Sequence, residues 1–313
     1  SSKINIFLKE LLKNKIFYLD TAPTYNHSRF YNFKNFKIIS KLGKVNLDED
    51  LKTIEKKLTE SVNKDLKERQ VKKIDTLLLH YPDQILHKNG SFIIKILKKL
   101  KKKGKFKKIG ISVYEPDQVK KILLKFRPDV IQIPLNILNR EFLKNNFIQK
   151  LINKKIEIHI RSIFLKGLLL APFKTIKKKQ IFKKHLTYLK KWNSWLQNNN
   201  FNNIFGCLSI LNYIKGKTNI VVGAENIKFV KEIINNSEKL QNNYILPPRN
   251  LASNNSSLYD PRKWSTESIM NPFDIFIQAR LTSTRLPGKV LQKIGEKTVI
   301  RTLLDRLKSA KSI

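Results

Sequence analysis

Cysteine and methionine each occur once in this 313-residue chain, at Cys207 and Met270. A single thiol excludes an intramolecular disulfide framework and fits a reducing compartment, so a cytoplasmic location is expected. No stretch approaches 18 uninterrupted apolar residues, and no membrane span is expected. No signal peptide is visible, and the opening at Ser1 reads as a chain whose beginning was not recorded. The five histidines form no HExxH and there is no CxxC, so no metal site is expected. Acidic residues are few, 24 against 63 Lys and Arg, for a formal net charge of +39. A polyanion binder would carry such a charge. Here, however, Lys, Asn, Ile and Phe are abundant together, as an AT-rich genome favours, and the lysines are scattered without an aromatic-interleaved basic motif. The charge therefore reads as composition, with no specific nucleic-acid partner, and only weak attraction for anions follows.

What the chain does have is alternation. Short apolar runs read as strands at Ile16–Leu19, Phe36–Lys41, Asp75–His80, Ile109–Ser112, Val130–Ile133, Ile156–Ile160 and Asn219–Val222. Amphipathic stretches between them read as helices at Ile4–Lys13, Leu47–Gln70, Phe92–Lys101, Pro116–Phe126, Phe142–Asn153, Lys178–Asn198 and Ile227–Ile234. In the second of these, Leu51, Ile54, Leu58 and Val62 form one stripe. Strict βα alternation predicts parallel strands with helical crossovers. Seven short strands with polar residues at their carboxyl ends suit a (β/α)₈ barrel of the TIM type better than an open sheet. The competing doubly wound nucleotide fold lacks its GxGxxG. Residues 242–272 are rich in Asn, Ser and Pro and read as a tail and linker after a barrel at 1–241. A new strand at Asp274–Ile277 and a helix at Val299–Ser309 then open a further segment, 273–313.

Three successive strands end in Asp20, Lys41 and His80, with Tyr25 just beyond the first. A parallel barrel brings all four to one mouth. A phenol with its ordinary pKa of ~10 is a poor acid at neutral pH. An ammonium lowers that value, a carboxylate holds the ammonium, and an imidazole can orient a carbonyl oxygen. Singly, Lys41 reads equally as a surface lysine and His80 as a core histidine; in this order they read as a set.

These residues resemble the aldo-keto reductase family, whose Asp-Tyr-Lys-His tetrad falls on Asp20 and Tyr25 in "LDTAPTY", Lys41 in "IISKLG" and His80 in "LLLHYPD". The resemblance runs from about residue 4 to 266. It implies hydride transfer between NADP(H) or NAD(H) and a small-molecule carbonyl, alcohol or sugar-derived substrate. It places Ser112 in "IGISVYEP" and Gln132 in "VIQIPLN" at the nicotinamide amide, and Arg161 in "IRSIFLKGLLL" beside the nicotinamide. Ser162 and Gly167 fall near the pyrophosphate, and Gly223, Ala224 and Asn226 in "NIVVGAENIKFVKEII" near the adenosine phosphates. The family's first barrel strand is missing, which is expected to leave sheet edges unpaired. Val113 and Phe229 stand where asparagine and arginine are common, the latter on the cofactor's 2′-phosphate.

The segment "IFIQARLTSTRLPGKVL" resembles the opening strand and loop of cytidylyltransferases that activate acidic sugars, including the spore-coat polysaccharide type. Arg280, Ser283, Arg285 and Lys289 then match the positions that grip a nucleoside triphosphate, and closely spaced cations suit a polyphosphate. CTP with Mg is implied only for a complete domain. The expected whole is a reductase barrel joined to the truncated start of an α/β nucleotidyltransferase, in a setting of surface polysaccharide biosynthesis. Two alternatives stay open: a nucleotidyltransferase with a vestigial reductase module, and a non-catalytic basic binding protein.

Overall fold

The computed structural model describes residues 2–22, 33–224 and 226–264, together with the strand backbones of 274–277, 293–294 and 297–298. Seven parallel strands form most of a ring: β1 (Tyr18–Asp20), β2 (Lys37–Leu42), β3 (Ile74–Leu79), β4 (Phe106–Ser112), β5 (Val130–Pro134), β6 (Glu157–Arg161) and β7 (Thr218–Gly223). Each pairs with the next in sequence, as the alternation predicts. The ring is closed by β8 (Asp274–Ile277), which runs antiparallel between β7 and β1 with Asp274 opposite both Gly223 and Asp20. The unpaired edges expected from a missing parallel strand are therefore absent here, because the backbone of 274–277 supplies their hydrogen-bonding partners. A separate two-stranded pairing joins Lys293–Ile294 to Lys297–Thr298.

The helices that cover the ring include α1 (Ser2–Lys13), α2 (Leu51–Glu68), α3 (Gly90–Lys102), α4 (Pro116–Leu123), α5 (Phe147–Asn153), α6 (Phe173–Ile176), α7 (Leu186–Asn198), α8 (Asn203–Leu208), α9 (Ile227–Asn242) and α10 (Ser256–Tyr259). Helix α2 starts four residues later than the apolar pattern predicts, because Asp50 caps it by accepting from Thr53 N at 3.0 Å. Leu51, placed on the buried stripe by spacing, is 46% exposed in that first turn, whereas Ile54, Leu58 and Val62 are buried. The helix expected at 142–153 is broken, with Asn145 and Asn146 at φ 52° and 55°, a left-handed kink that asparagine tolerates. The stretch 242–264 packs against the barrel. Leu251 and Leu258 are buried, Ser253 N donates to Leu138 O at 2.8 Å, and Tyr213 Oη donates to Pro247 O at 2.7 Å. The buried Arg140 donates to Pro247 O at 3.1 Å and lies over the Tyr213 ring.

Among the described residues two hydrophobic cores result. The larger lies between sheet and helices. The smaller, Ile39, Leu78, Val130 and Val221, plugs the lumen, where barrel interiors are filled by layered side chains. Beneath the plug is a polar floor. Glu157 accepts from Lys108 Nζ at 2.6 Å and Asn219 Nδ2 at 2.8 Å, and shares a hydrogen with His159 Nε2 at 2.9 Å. Burial pushes the Glu157 carboxyl up, but the bonds and charges of His159 and Lys108 outweigh it and bring the value down to about 2. The folded value thus lies below the unfolded one, so folding favours the ionised form. Its contribution is in force above pH 4.5 and fades as the pH falls toward 2. With a discount for partial exposure it is on the order of 2 kcal/mol. Urea unfolding of Glu157→Gln is expected to show that loss at pH 7 and a much smaller difference from the unaltered protein at pH 3. Equal gaps at both pH values would sink this account.

Candidate active site

The carboxyl ends of the parallel strands converge above the apolar plug. Asp20 ends β1, and the Thr21 N–H is held by Ile39 O at 2.8 Å, which fixes the chain as it leaves the strand. On the neighbouring strand Lys41 reaches inward and its ammonium pairs with Asp20 Oδ1. The two residues are only 3% and 5% exposed, so this is a desolvated ion pair, held because each charge compensates the other. The second carboxylate oxygen of Asp20 accepts from Gln132 Nε2 at 2.8 Å. Asp20 and Gln132 stand on β1 and β5, on opposite sides of an eight-membered ring, so their bond crosses the lumen. Ser112 Oγ lies 3.5 Å from Gln132 Oε1, both buried. Lys41, Asp20, Gln132 and Ser112 thus form one hydrogen-bonded line across the mouth.

His80 follows β3, its N–H donating to Leu42 O at 3.1 Å, and its ring is tilted against Tyr81. Burial lowers its pKa, and the cations of Lys41 and Arg161 lower it further against a smaller opposing effect of Asp20. The imidazole is therefore neutral at pH 7 and offers one donor and one acceptor nitrogen. Arg161, at the end of β6, reaches across β5 to donate to Val113 O at 2.9 Å. Three of the four expected tetrad positions meet at this mouth; Tyr25 lies outside the described residues.

The remaining expected positions fall on the other side of the rim. Ser162 and Gly167 bound a tight turn in which Ser162, Leu165, Lys166 and Gly167 all have positive φ, from 48° to 81°. Gly167 is the one residue there that adopts this without steric cost. Gly223 ends β7, Ala224 is buried, and Asn226 caps α9 by accepting from Phe229 N at 2.9 Å. Phe164, in the turn, packs on Phe229, in the first turn of α9, with ring centroids 5.8 Å apart. The two elements are pinned together by this aromatic contact, at the position where the resemblance leads one to expect arginine. Arg280, Ser283, Arg285 and Lys289 lie outside the described residues, as does the helix expected at Val299–Ser309.

Two mouth residues went unnoticed in the sequence. Tyr114, next to Val113, has the Arg161 guanidinium over its ring at 4.3 Å and that of Arg262 at 3.4 Å. "YDPRKW" read only as tail, yet Asp260 grips Arg262 by bonds of 2.9 Å from Nε and 2.5 Å from Nη2, and sets it over the rim. The only available signal was an Asp-Pro-Arg turn, in which Asp260 caps a short helix.

The site so built is a parallel β/α barrel with a buried carboxylate–ammonium pair and a neutral imidazole at its mouth. The aldo/keto reductase family model matches residues 2–243, and the chain belongs to that family. A cytidylyltransferase model matches residues 275–313. No curated protein matches the chain in sequence. Among solved structures, the holo form of the aldo-keto reductase AKR11C1 from Bacillus halodurans is similar at 20% identity and TM-score 0.59, over 76% of this chain and 82% of that one. Its apo form is similar at 20% identity and TM-score 0.57, over 75% and 80%. The glycerol dehydrogenase AKR11B4 from Gluconobacter oxydans follows at 19% identity and TM-score 0.50, over 66% and 72%. At these identities the likeness is one of fold. Among the described residues no helix is long and apolar enough to cross a membrane.

Proposed function

We propose that this chain interconverts a carbonyl and an alcohol on a small, sugar-derived substrate in the cytoplasm, with Tyr25 as the proton-transferring acid or base. The observation that carries this reading is the buried Asp20–Lys41 pair at adjacent strand ends, with the neutral His80 beside it. Lys41 supplies the positive charge that makes a phenol a usable acid near pH 7, Asp20 keeps that charge in place, and His80 orients the substrate oxygen. A nicotinamide cofactor, when bound, supplies or takes the hydride.

The residues present fit such a cofactor. The Ser112 hydroxyl and the Gln132 amide, buried side by side, provide the donor and acceptor chemistry a carboxamide needs. The left-handed turn from Ser162 to Gly167 and the start of α9 beyond Gly223, Ala224 and Asn226 provide backbone amides for phosphates. Arg161 would lie near the nicotinamide. Phe229, packed on Phe164, brings no cation to a 2′-phosphate, so NADH is expected to bind at least as tightly as NADPH. The cytidylyltransferase match at 275–313 favours an acidic-sugar setting such as surface polysaccharide assembly. Arg280, Ser283, Arg285 and Lys289 would hold CTP with Mg only within a complete domain.

The test is a titration with each dinucleotide, followed by tryptophan fluorescence. Saturable micromolar quenching is expected, and then carbonyl-dependent oxidation of the reduced cofactor. A folded protein that binds neither would overturn the reading.

A further inference from the structure

The turns that lead from helix into β1, β3, β4, β5, β6 and β7 all lie at the end of the barrel opposite the mouth, because these strands are parallel. Each turn presents an exposed lysine: Lys15, Lys73, Lys103, Lys125, Lys154 and Lys215, in that order. A second lysine or arginine stands within two residues of each. A cation in the last turn of a helix suits the macrodipole, but Lys73 and Lys215 lie beyond the helix ends. Four acids near these turns are already matched by other cations. Glu10 pairs with Lys13 at 2.8 Å, Asp129 with Lys101 at 2.6 Å, Glu157 with Lys108 at 2.6 Å and Asp75 with Lys107 at 4.0 Å. None of the six turn ammonium groups has an acidic partner among the described residues. At the mouth end, the connections 43–50, 80–89 and 113–115 together hold two lysines against five acids, and the long connection at 162–185 is the lysine-rich one. Two apolar side chains stand among the charges of the turn end. Leu124, before β5, is 87% exposed, the most of any large apolar group among the described residues, and Phe17, before β1, is 45% exposed.

We propose that this end of the barrel docks on an anionic bilayer surface, its ring of lysines against lipid phosphates and Leu124 and Phe17 in the headgroup layer, with the mouth facing away. Separate cations spread around a ring match a broad plane of charge, whereas a nucleic-acid backbone is tracked by a groove or stripe with stacking aromatics. Exposed apolar groups amid lysines suit the boundary between headgroups and acyl chains. Composition supplies the lysines, and topology gathers their unmatched share at one end. Docking of this kind is independent of the reductase reading.

The test is co-sedimentation of the whole chain with vesicles of phosphatidylcholine and phosphatidylglycerol in equal parts, and with phosphatidylcholine alone, at physiological salt. Partitioning onto the mixed vesicles is expected to exceed that onto the neutral ones by at least about tenfold. Each lysine near such a surface contributes about fivefold, so Lys73→Gln, Lys125→Gln, Lys154→Gln and Lys215→Gln together should lose on the order of a hundredfold. Lys174→Gln, Lys177→Gln, Lys178→Gln and Lys183→Gln remove the same charge from the connection after β6 and should lose less than about threefold. Leu124→Ser should weaken vesicle binding about fivefold and leave binding to a DNA duplex unchanged. Urea unfolding checks that each variant folds. Were the first set unfolded, Lys73→Gln with Lys215→Gln alone should lose about twentyfold. Equal losses in the two lysine sets, equal binding to neutral vesicles, or tighter capture of DNA with no response to Leu124→Ser would overturn the proposal.

Discussion

Lys41→Met should abolish most of the turnover and weaken the fold at once. The ammonium sits against a carboxylate only 3% exposed, and its removal leaves that charge with Gln132 as its remaining bonded partner. Breaking a buried pair from one side costs about 3–5 kcal/mol. The chemical loss is separate: on the proposed reading, in which Lys41 tunes Tyr25, positioned acid–base catalysis of about 10²–10⁴-fold is forfeited. Lys41→Arg separates the two effects. It keeps a cation beside Asp20 and should recover stability in urea unfolding, but the wider fork should leave kcat/KM low. If Lys41→Met retained kcat/KM within a factor of three for any carbonyl the unaltered protein reduces, the assigned role of Lys41 would be lost.

Arg69→Met should be the most destabilising change away from the mouth. Arg69 Nε donates to Asp65 Oδ1 at 2.6 Å, and the two side chains are 1% and 4% exposed. Burial pushes the Asp65 carboxyl up, and Arg69 works against that shift. Removing the guanidinium strands a desolvated carboxylate at a cost of about 3–5 kcal/mol. The deficit should shrink as the pH is lowered and the carboxyl takes up a proton, since a raised folded pKa favours the fold below it. The double variant Asp65→Leu with Arg69→Met should regain most of the loss. Among the described residues Asp65 Oδ2 and Arg69 Nη2 have no hydrogen-bond partner, so the native pair is itself incompletely satisfied. A double variant as unstable as the single one would show that the pair contributes more than charge compensation.

The barrel and its mouth were legible because each strand is a short apolar run closed by one chemically distinct residue. Asp20, Lys41 and His80 needed only parallel strands to be brought together, and βα alternation supplies those. Helix ends were less legible, since Asp50 starts α2 through a side-chain bond that hydrophobic spacing does not register. How the tail is anchored was illegible for a related reason. Its Asn, Ser and Pro content reads as a linker, while a few anchors, Leu251, Leu258 and the Tyr213–Pro247 bond, settle its place. The closing of the ring by 274–277 could not be read, because the strand-like run carries no mark of which sheet it joins. Nor could Tyr114 with Arg161 and Arg262, since stacking between distant segments leaves no local pattern.

The bond from Asp20 to Gln132 has a consequence for how such a chain can diversify. It ties opposite walls of the barrel just below the rim, so the buried ion pair is set by strand residues alone. Tyr114 and Arg262, stacked at the rim, belong to the connections above it. Exchanges in those connections can therefore accumulate without disturbing the Asp20–Lys41 pair, and a lineage can remodel its rim while keeping the charged line beneath it.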